Sequence, residues 1–258
     1  MLTERMAIKD TFRRAFIEFV IIVTGITAAF VVDEWREKRQ EQQALDQYLT
    51  DIASEIKGNL WTLKRIRDGH LQKKIESLQK VISFVQQPEL GQVDAEELIS
   101  ILALSSEQPR PWFVKYNHNA LINSGNLRLI RDQELMRLLS STYEGDDVLL
   151  SRVENVRGSY QAYVNQLIPA RYQSEINFLG MYVNKEVKAP EIADNASSSQ
   201  FLEQIEKSRP ELLRLARNEA AVATGLWYAY TRLEAQFEAV QDELEKRGYV
   251  GVDVFGTR

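Results

Sequence analysis

The run Phe19–Val32 carries no charged residue and no proline. Phe19, Val20, Ile21, Ile22 and Val23 place apolar side chains on every side of a helix, with no polar stripe between them, so a core or interfacial helix is the least favoured reading. If Glu18 is admitted near one edge, the apolar span covers Ala15–Val32, 18 residues. At 1.5 Å per residue that is about 27 Å of helix, against a hydrocarbon core of about 30 Å. Arg14 can snorkel at one boundary and Trp35 can sit at the other. The expectation is one transmembrane anchor over residues 15–35, preceded by a short basic cytoplasmic tail, residues 1–14.

A cleaved signal peptide is the rival reading. Arg5, Lys9, Arg13 and Arg14 resemble its basic leader region, and Thr27-Ala28-Ala29 its small-residue cleavage site. The length of the span favours an uncleaved anchor. Four basic residues precede it and three, Arg36, Lys38 and Arg39, follow closely. By the positive-inside rule the N-terminus faces the cytoplasm and the C-terminal bulk lies outside, which in a bacterium means the inner membrane and the periplasm. Within the span Gly25 and Ala29 form a small-xxx-small pair, with Thr24 and Ala28 beside it. That pattern lets two membrane helices approach closely, so self-association is expected alongside the lipid bilayer as partner.

Beyond the anchor the chain reads as all-α. It has 258 residues, six prolines and twelve glycines, with a net charge of −5 that gives no electrostatic reason to expect nucleic acid. Without cysteine there are no disulfides, thiolate metal sites or cysteine nucleophiles. Charged, helix-favouring residues from Arg36 to Gln43 predict a stalk continuing the membrane helix. Leu45, Leu49, Ile52, Ile56, Leu63 and Ile66 then follow a helical seam, with Asn59 and His70 at polar seam positions. Past His70 the seam shifts by one residue to Leu71, Ile75, Leu78, Ile82 and Val85, as a change of packing partner would require. Pro88 and Gly91 close this helix.

Asp94 and Glu97 predict a helix start. Glu107–Tyr116, with Pro109, Pro111, Trp112 and Phe113, predicts an aromatic loop; Trp112 and Phe113 either form a binding lip or plug the end of the bundle. A turn is expected at Ser124-Gly125 and a cap at Asp132. Gly145-Asp146-Asp147 predicts a break before a helix from Val148 to Leu167, and Arg171–Ser198 reads as irregular. A short helix over Gln200–Lys207 should give way at Ser208-Arg209-Pro210 to a final helix ending at Gly248. Its stripe is Val222, Leu226, Tyr230, Leu233, Phe237, Val240 and Leu244, and Gly225 beside Trp227 and Tyr228 suggests close helix approach. The expected architecture is an elongated antiparallel bundle with stalk, residues 36–248, and a C-terminal tail, residues 249–258.

Two stretches carry a resemblance. Gly25–Arg39, GITAAFVVDEWREKR, is similar to the anchor of a large group of uncharacterised bacterial single-pass membrane proteins: a short hydrophobic helix ending in tryptophan, then a charged helix. Ser124–Ile130, followed by Glu134-Leu135 and Tyr143, resembles the same group's central Ser-Gly-Asn-Leu corner. Members tend to carry asparagines before the tryptophan where this chain has Asp33 and Glu34. The resemblance implies an anchored helical domain and transfers no activity or site residue.

The functional expectation is a membrane-anchored scaffold or accessory interaction subunit, with no catalytic residues, cofactor or metal. The candidate residues are Glu18, Thr24, Gly25, Ala28, Ala29 and Trp35 in the anchor, and Trp112 and Phe113 in the loop. The alternatives are an extracytoplasmic small-molecule sensor and, less in keeping with the pattern, an envelope enzyme using Glu144 and Asp146. Glu144, Asp146 and Asp147 as a cation site lack the regular spacing of oxygen ligands, and acids at a helix start account for them.

Overall fold

The computed structural model describes residues 2–87, 94–155, 158–169 and 197–252, with the backbone alone described for 2–15, 17, 146, 147, 150 and 152–155. The described residues are helical or connecting, with no strand among them. The elements are α1 (Leu2–Lys64), a π-helical segment (Arg65–Leu71), α2 (Gln72–Val85), α3 (Ala95–Ser106), α4 (Tyr116–Asn123), a 3₁₀ turn (Asn126–Leu129), α5 (Gln133–Asn155), α6 (Ser159–Leu167) and α7 (Ser198–Lys246). The basic side chains of the N-terminal tail, Pro88 and Gly91, and nearly all of the stretch read as irregular lie outside the described residues.

The apolar N-terminal run, the charged stretch after it and the first bundle helix form one continuous helix, α1, as the unbroken sequence predicts. The seam shift past His70 has a specific cause. Buried Ile56, Leu63, Leu71, Leu78 and Val85 are spaced 7, 8, 7 and 7 apart. The extra residue falls in the π segment, where the Gln72 amide donates to the Arg67 carbonyl, five residues back. A π turn absorbs one residue without ending the helix, so the same face points inward on both sides.

The long partner is α7, which packs against α1, the π segment, α2, α3, α5 and α6. Its direction is antiparallel to the α1–α2 rod: Asp46 meets Tyr249, Lys64 meets Glu238, Lys74 meets Glu219 and Gln87 meets Arg209. α5 is likewise antiparallel to α7, with Asp132 at Arg247, Tyr143 at Phe237 and Gly145 at Gln236.

Several expectations are corrected. α5 runs through Gly145-Asp146-Asp147 without a break; a Cβ on Gly145 would stand 3.1 Å from Gln236 Oε1, so the small residue serves contact with α7. The interruption comes later, where Gly158 at φ 107° precedes α6, a conformation that disfavours other residues. The expected short helix and restart at Pro210 are instead one helix from the Ser197–Gln200 capping box onward, with Pro210 inside it. Phe201 and Ile205 are buried before the proline and Leu212, Leu215 and Ala216 after it, and that burial outweighs a proline cost of about 3 kcal/mol. Gly225 has nothing near its Cβ position, so it mediates no close approach.

The stripe of α7 passes through Ala223 and Glu219 rather than Val222, and that of α2 through Lys74 and Val81 rather than Ile75 and Ile82. Apolar periodicity cannot register a seam that carries a buried ion pair. α7 ends in a Schellman turn: the Gly248 amide donates to Glu245 and the Tyr249 amide to Leu244, with Gly248 at φ 88°. The chain then folds back on α1, where Lys57 donates to the Gly251 carbonyl and the Val252 amide donates to Ser54.

A Cβ on Gly251 would lie 2.5 Å from the Ala53 carbonyl group. Gly251→Ala should displace residues 249–252 and cost about 1–3 kcal/mol, the usual penalty of overpacking. Urea unfolding checks the loss, and faster proteolysis at the C-terminus checks its location.

Candidate functional site

Two surfaces carry the sequence candidates. The first is the leading half of α1. Glu18, Thr24, Gly25, Ala28, Ala29 and Trp35 are all exposed, and nothing lies within 4 Å of a Cβ on Gly25. Thr27 donates to the Val23 carbonyl at 2.8 Å, so its hydroxyl is satisfied within the helix. Arg39 lies over the Trp35 ring at 5.2 Å, and Lys38 pairs with Glu34 at 2.6 Å. Eleven large apolar side chains from Phe16 to Trp35 stand exposed on every face. Burial on α1 begins at Leu45. Among the described residues no helix is long and apolar enough to cross a membrane; the uncharged run Phe19–Val32 is bounded by Glu18 and by Asp33 and Glu34.

The second surface is the segment 107–116. The structure separates its two candidates: Trp112 is 84% exposed, whereas Phe113 is 8% exposed and packs against Phe237 at 5.5 Å between ring centroids. Tyr143 meets Phe237 edge-on at 6.4 Å. Along this stretch exposure alternates, with Pro111 and Phe113 inward and Trp112, Val114 and Tyr116 outward.

Several bonds hold the segment rigidly. The Asn59 amide group pairs with both backbone groups of Val114: Nδ2 donates to the carbonyl and Oδ1 accepts from the amide, each at 2.8 Å. Tyr230 donates to the Pro109 carbonyl at 3.3 Å, and Lys74 donates to the Glu107 carbonyl at 2.6 Å. His70 Nδ1 lies 3.9 Å from Glu107, too far for a hydrogen bond.

Glu55 fixes the segment's far end. Lys115 precedes α4 and provides no side-chain cap. Glu55 on α1 accepts instead from the Asn117 amide at 2.8 Å and from the Tyr143 hydroxyl at 2.5 Å. A carboxylate at a helix N-terminus satisfies amides that have no partner within the helix. The His118 ring stacks on Tyr143 at 3.8 Å. Burial raises the Glu55 carboxyl above its ordinary value, opposed by its bonds to Tyr143 and to the Asn117 and His118 amides.

Lys74 and Glu219 form a buried ion pair at 2.5 Å, with Gln108 donating to Glu219 at 3.2 Å. Burial lowers the Lys74 pKa against the pull of Glu219. Next to it, Ser105 and Tyr160 share a buried 2.7 Å hydrogen bond. Nothing in the local sequence pattern marks Glu55, Lys74 or Glu219 beyond a charged residue near a seam position. Among the described residues, no group of three or more histidines and acids is placed to hold a metal. The side chains of Asp146 and Asp147 lie outside them. The chain matches no known family, curated protein or solved structure.

Replacing Asn59 by leucine removes both Val114 bonds and should cost about 1–3 kcal/mol, the range for leaving buried polar groups unmade. The checks are urea unfolding and hydrogen exchange at the Val114 amide, which should rise.

Glu55 predicts a pH effect with a definite sign. Because its folded pKa is raised above the ordinary 4.5, the folded state holds this proton more tightly than the unfolded state. The contribution is fully present below the ordinary value and is lost as pH rises through the folded one. The unfolding free energy of the wild type minus that of Glu55→Gln should therefore increase as pH falls from neutrality toward 4.5. Urea titrations of both proteins across that range test the sign.

Proposed function

We propose that this chain is a membrane-anchored helical interaction module. The leading part of α1 serves as its anchor, and the rigid edge Trp112, Val114 and Tyr116 serves as its partner-binding face. The observation that carries the reading is the division within one continuous helix, which is uncharged and bare on all sides over Phe19–Val32 and buried in the bundle from Leu45. Leaving eleven large apolar side chains in water forfeits on the order of 20 kcal/mol of burial. A helix hydrophobic all round belongs in a protein core or a bilayer.

The sequence adds Ala15, Phe16 and Ile17 beyond Glu18, extending the apolar span to about 27 Å with one carboxyl near its edge. Trp35 then marks the other interface. The basic residues ahead of the span favour a cytoplasmic N-terminus and, in a bacterium, a periplasmic bundle. This reading accords with the resemblance of Gly25–Arg39 and Ser124–Ile130 to single-pass bacterial proteins, and it assigns no catalysis.

The full chain should remain in the membrane pellet after alkaline carbonate extraction, and release into the supernatant would contradict the anchor. A reporter active only in the periplasm, fused after Arg258, should be active, while a cytoplasm-only reporter should be silent. The reverse pattern would place the bundle in the cytoplasm. If the Gly25 face pairs two anchors, Gly25→Leu combined with Ala29→Leu should abolish a membrane-helix association signal and leave carbonate resistance intact. A persistent signal would assign any oligomer to the bundle.

A further inference from the structure

The same α1 that carries the bare apolar segment also fixes which end of the bundle lies next to it. The chain descends α1 as its own numbers rise: Val114 sits at Asn59, Asn117 at Asp51 and Arg128 at Glu41. Asp132 joins Arg247, and Asp46 joins Tyr249. The turn between α4 and α5, the start of α5 and the end of α7 therefore form the anchor-proximal end of the bundle.

We infer that this end, centred on residues 122–131, rests on the surface of the lipid bilayer and sets the tilt of the bundle. The inference depends on the anchor proposed above. Glu41 lies six residues past Trp35, about 9 Å along the helix axis. With Trp35 at the edge of the hydrocarbon, the headgroup layer reaches roughly 5–8 Å outward. Arg128 covers the remaining distance: it projects from the 3₁₀ turn with its side chain 73% exposed, and long basic side chains can reach to headgroups.

The surface around Arg128 has the required character. Ile122, Asn123, Ser124 and Gly125 are exposed together, and Arg131 and Lys246 add exposed cations. Of the carboxylates at this end, Glu41 pairs with Arg128, Asp132 and Glu243 with Arg247, and Glu134 with Arg137, while Glu37 on the stalk and Glu245 beside Lys246 are exposed. Exposed ion pairs hold their partners weakly. Arg128 can therefore exchange Glu41 for a lipid phosphate, and anionic lipid strengthens attraction to basic residues near the surface. The aromatic edge lies elsewhere. Asn59, which holds Val114, is twenty-four residues past Trp35, about 36 Å along the helix, well beyond the headgroup layer.

The absence of cysteine allows single nitroxide labels on the full chain at Ile22→Cys, Ile122→Cys or Tyr228→Cys. The chain is placed in phosphatidylcholine vesicles with and without phosphatidylglycerol. Relaxation by a nickel-chelating lipid headgroup should be several-fold stronger at position 122 than at 228, and stronger still with the anionic lipid. Arg128→Glu combined with Arg131→Glu should reduce it to the level at 228. Position 22 reports the anchor independently through protection from a water-soluble nickel chelate. Protection at 22 with equal relaxation at 122 and 228 would overturn the surface contact and leave the anchor standing. A water-accessible label at 22 would overturn both. Relaxation at 122 unaffected by charge reversal would overturn the role of the two arginines.

Discussion

The bundle depends on one stripe of α7. Ala216, Ala223, Tyr230, Leu233, Phe237, Val240 and Leu244 are buried there, and α1, α2, α5 and α6 all pack on this helix. In a helix of 49 residues most of the stability comes from packing one face against its neighbours rather than from intrinsic propensity. The α1–α2 rod supplies the matching length. Lys74 and Glu219 sit within this interface, and a sliding of one helix against the other would separate the pair and leave two buried charges uncompensated. Such pairs add little net stability, but breaking one is expensive. Their physical contribution here is to penalise wrong registers that apolar contacts alone would tolerate.

The π segment belongs to the same constraint. A rod whose inward residues repeated every seven positions would keep one face on α7, and one extra residue would rotate everything beyond it by about 100°. Widening one turn between Arg65 and Leu71 absorbs that residue, so Leu63 and Leu71 both point inward. Arg67 closes the junction from outside, pairing with Glu234 and lying over the Trp227 ring.

Much of this was legible in the sequence, because helices announce themselves through apolar spacing and caps. The caps at Asp94 and Asp132, the turn at Gly125 and the end at Gly248 fall where their local chemistry puts them. The departures from local pattern share a physical basis. Gly145 and Pro210 are helix breakers by propensity, and tertiary contacts keep both inside helices. The break falls instead at Gly158, which joins Gly125 and Gly248 in the left-handed conformation. Lys74, Glu219 and Glu55 are polar residues whose burial depends on partners 145 and 88 positions away in the chain, which no local pattern reveals. Trp112 and Phe113 are adjacent and chemically alike, so only alternation along an extended backbone could assign one to the core and one to solvent.

That alternation bears on how an exposed aromatic edge can bind. Trp112, Val114 and Tyr116 do not lie on an unrestrained loop. The backbone between Glu107 and α4 is held by Lys74, Tyr230 and Asn59, and α4 is capped by Glu55 from α1. A partner that covers these side chains gains their apolar area without ordering the backbone beneath them, a cost that otherwise reduces binding free energy. The buried polar groups thus act on the outer surface from within. Each bond that satisfies an inner carbonyl or amide also removes a degree of freedom from the residue facing outward, so the rigidity of the edge is a consequence of satisfying the polar groups below it.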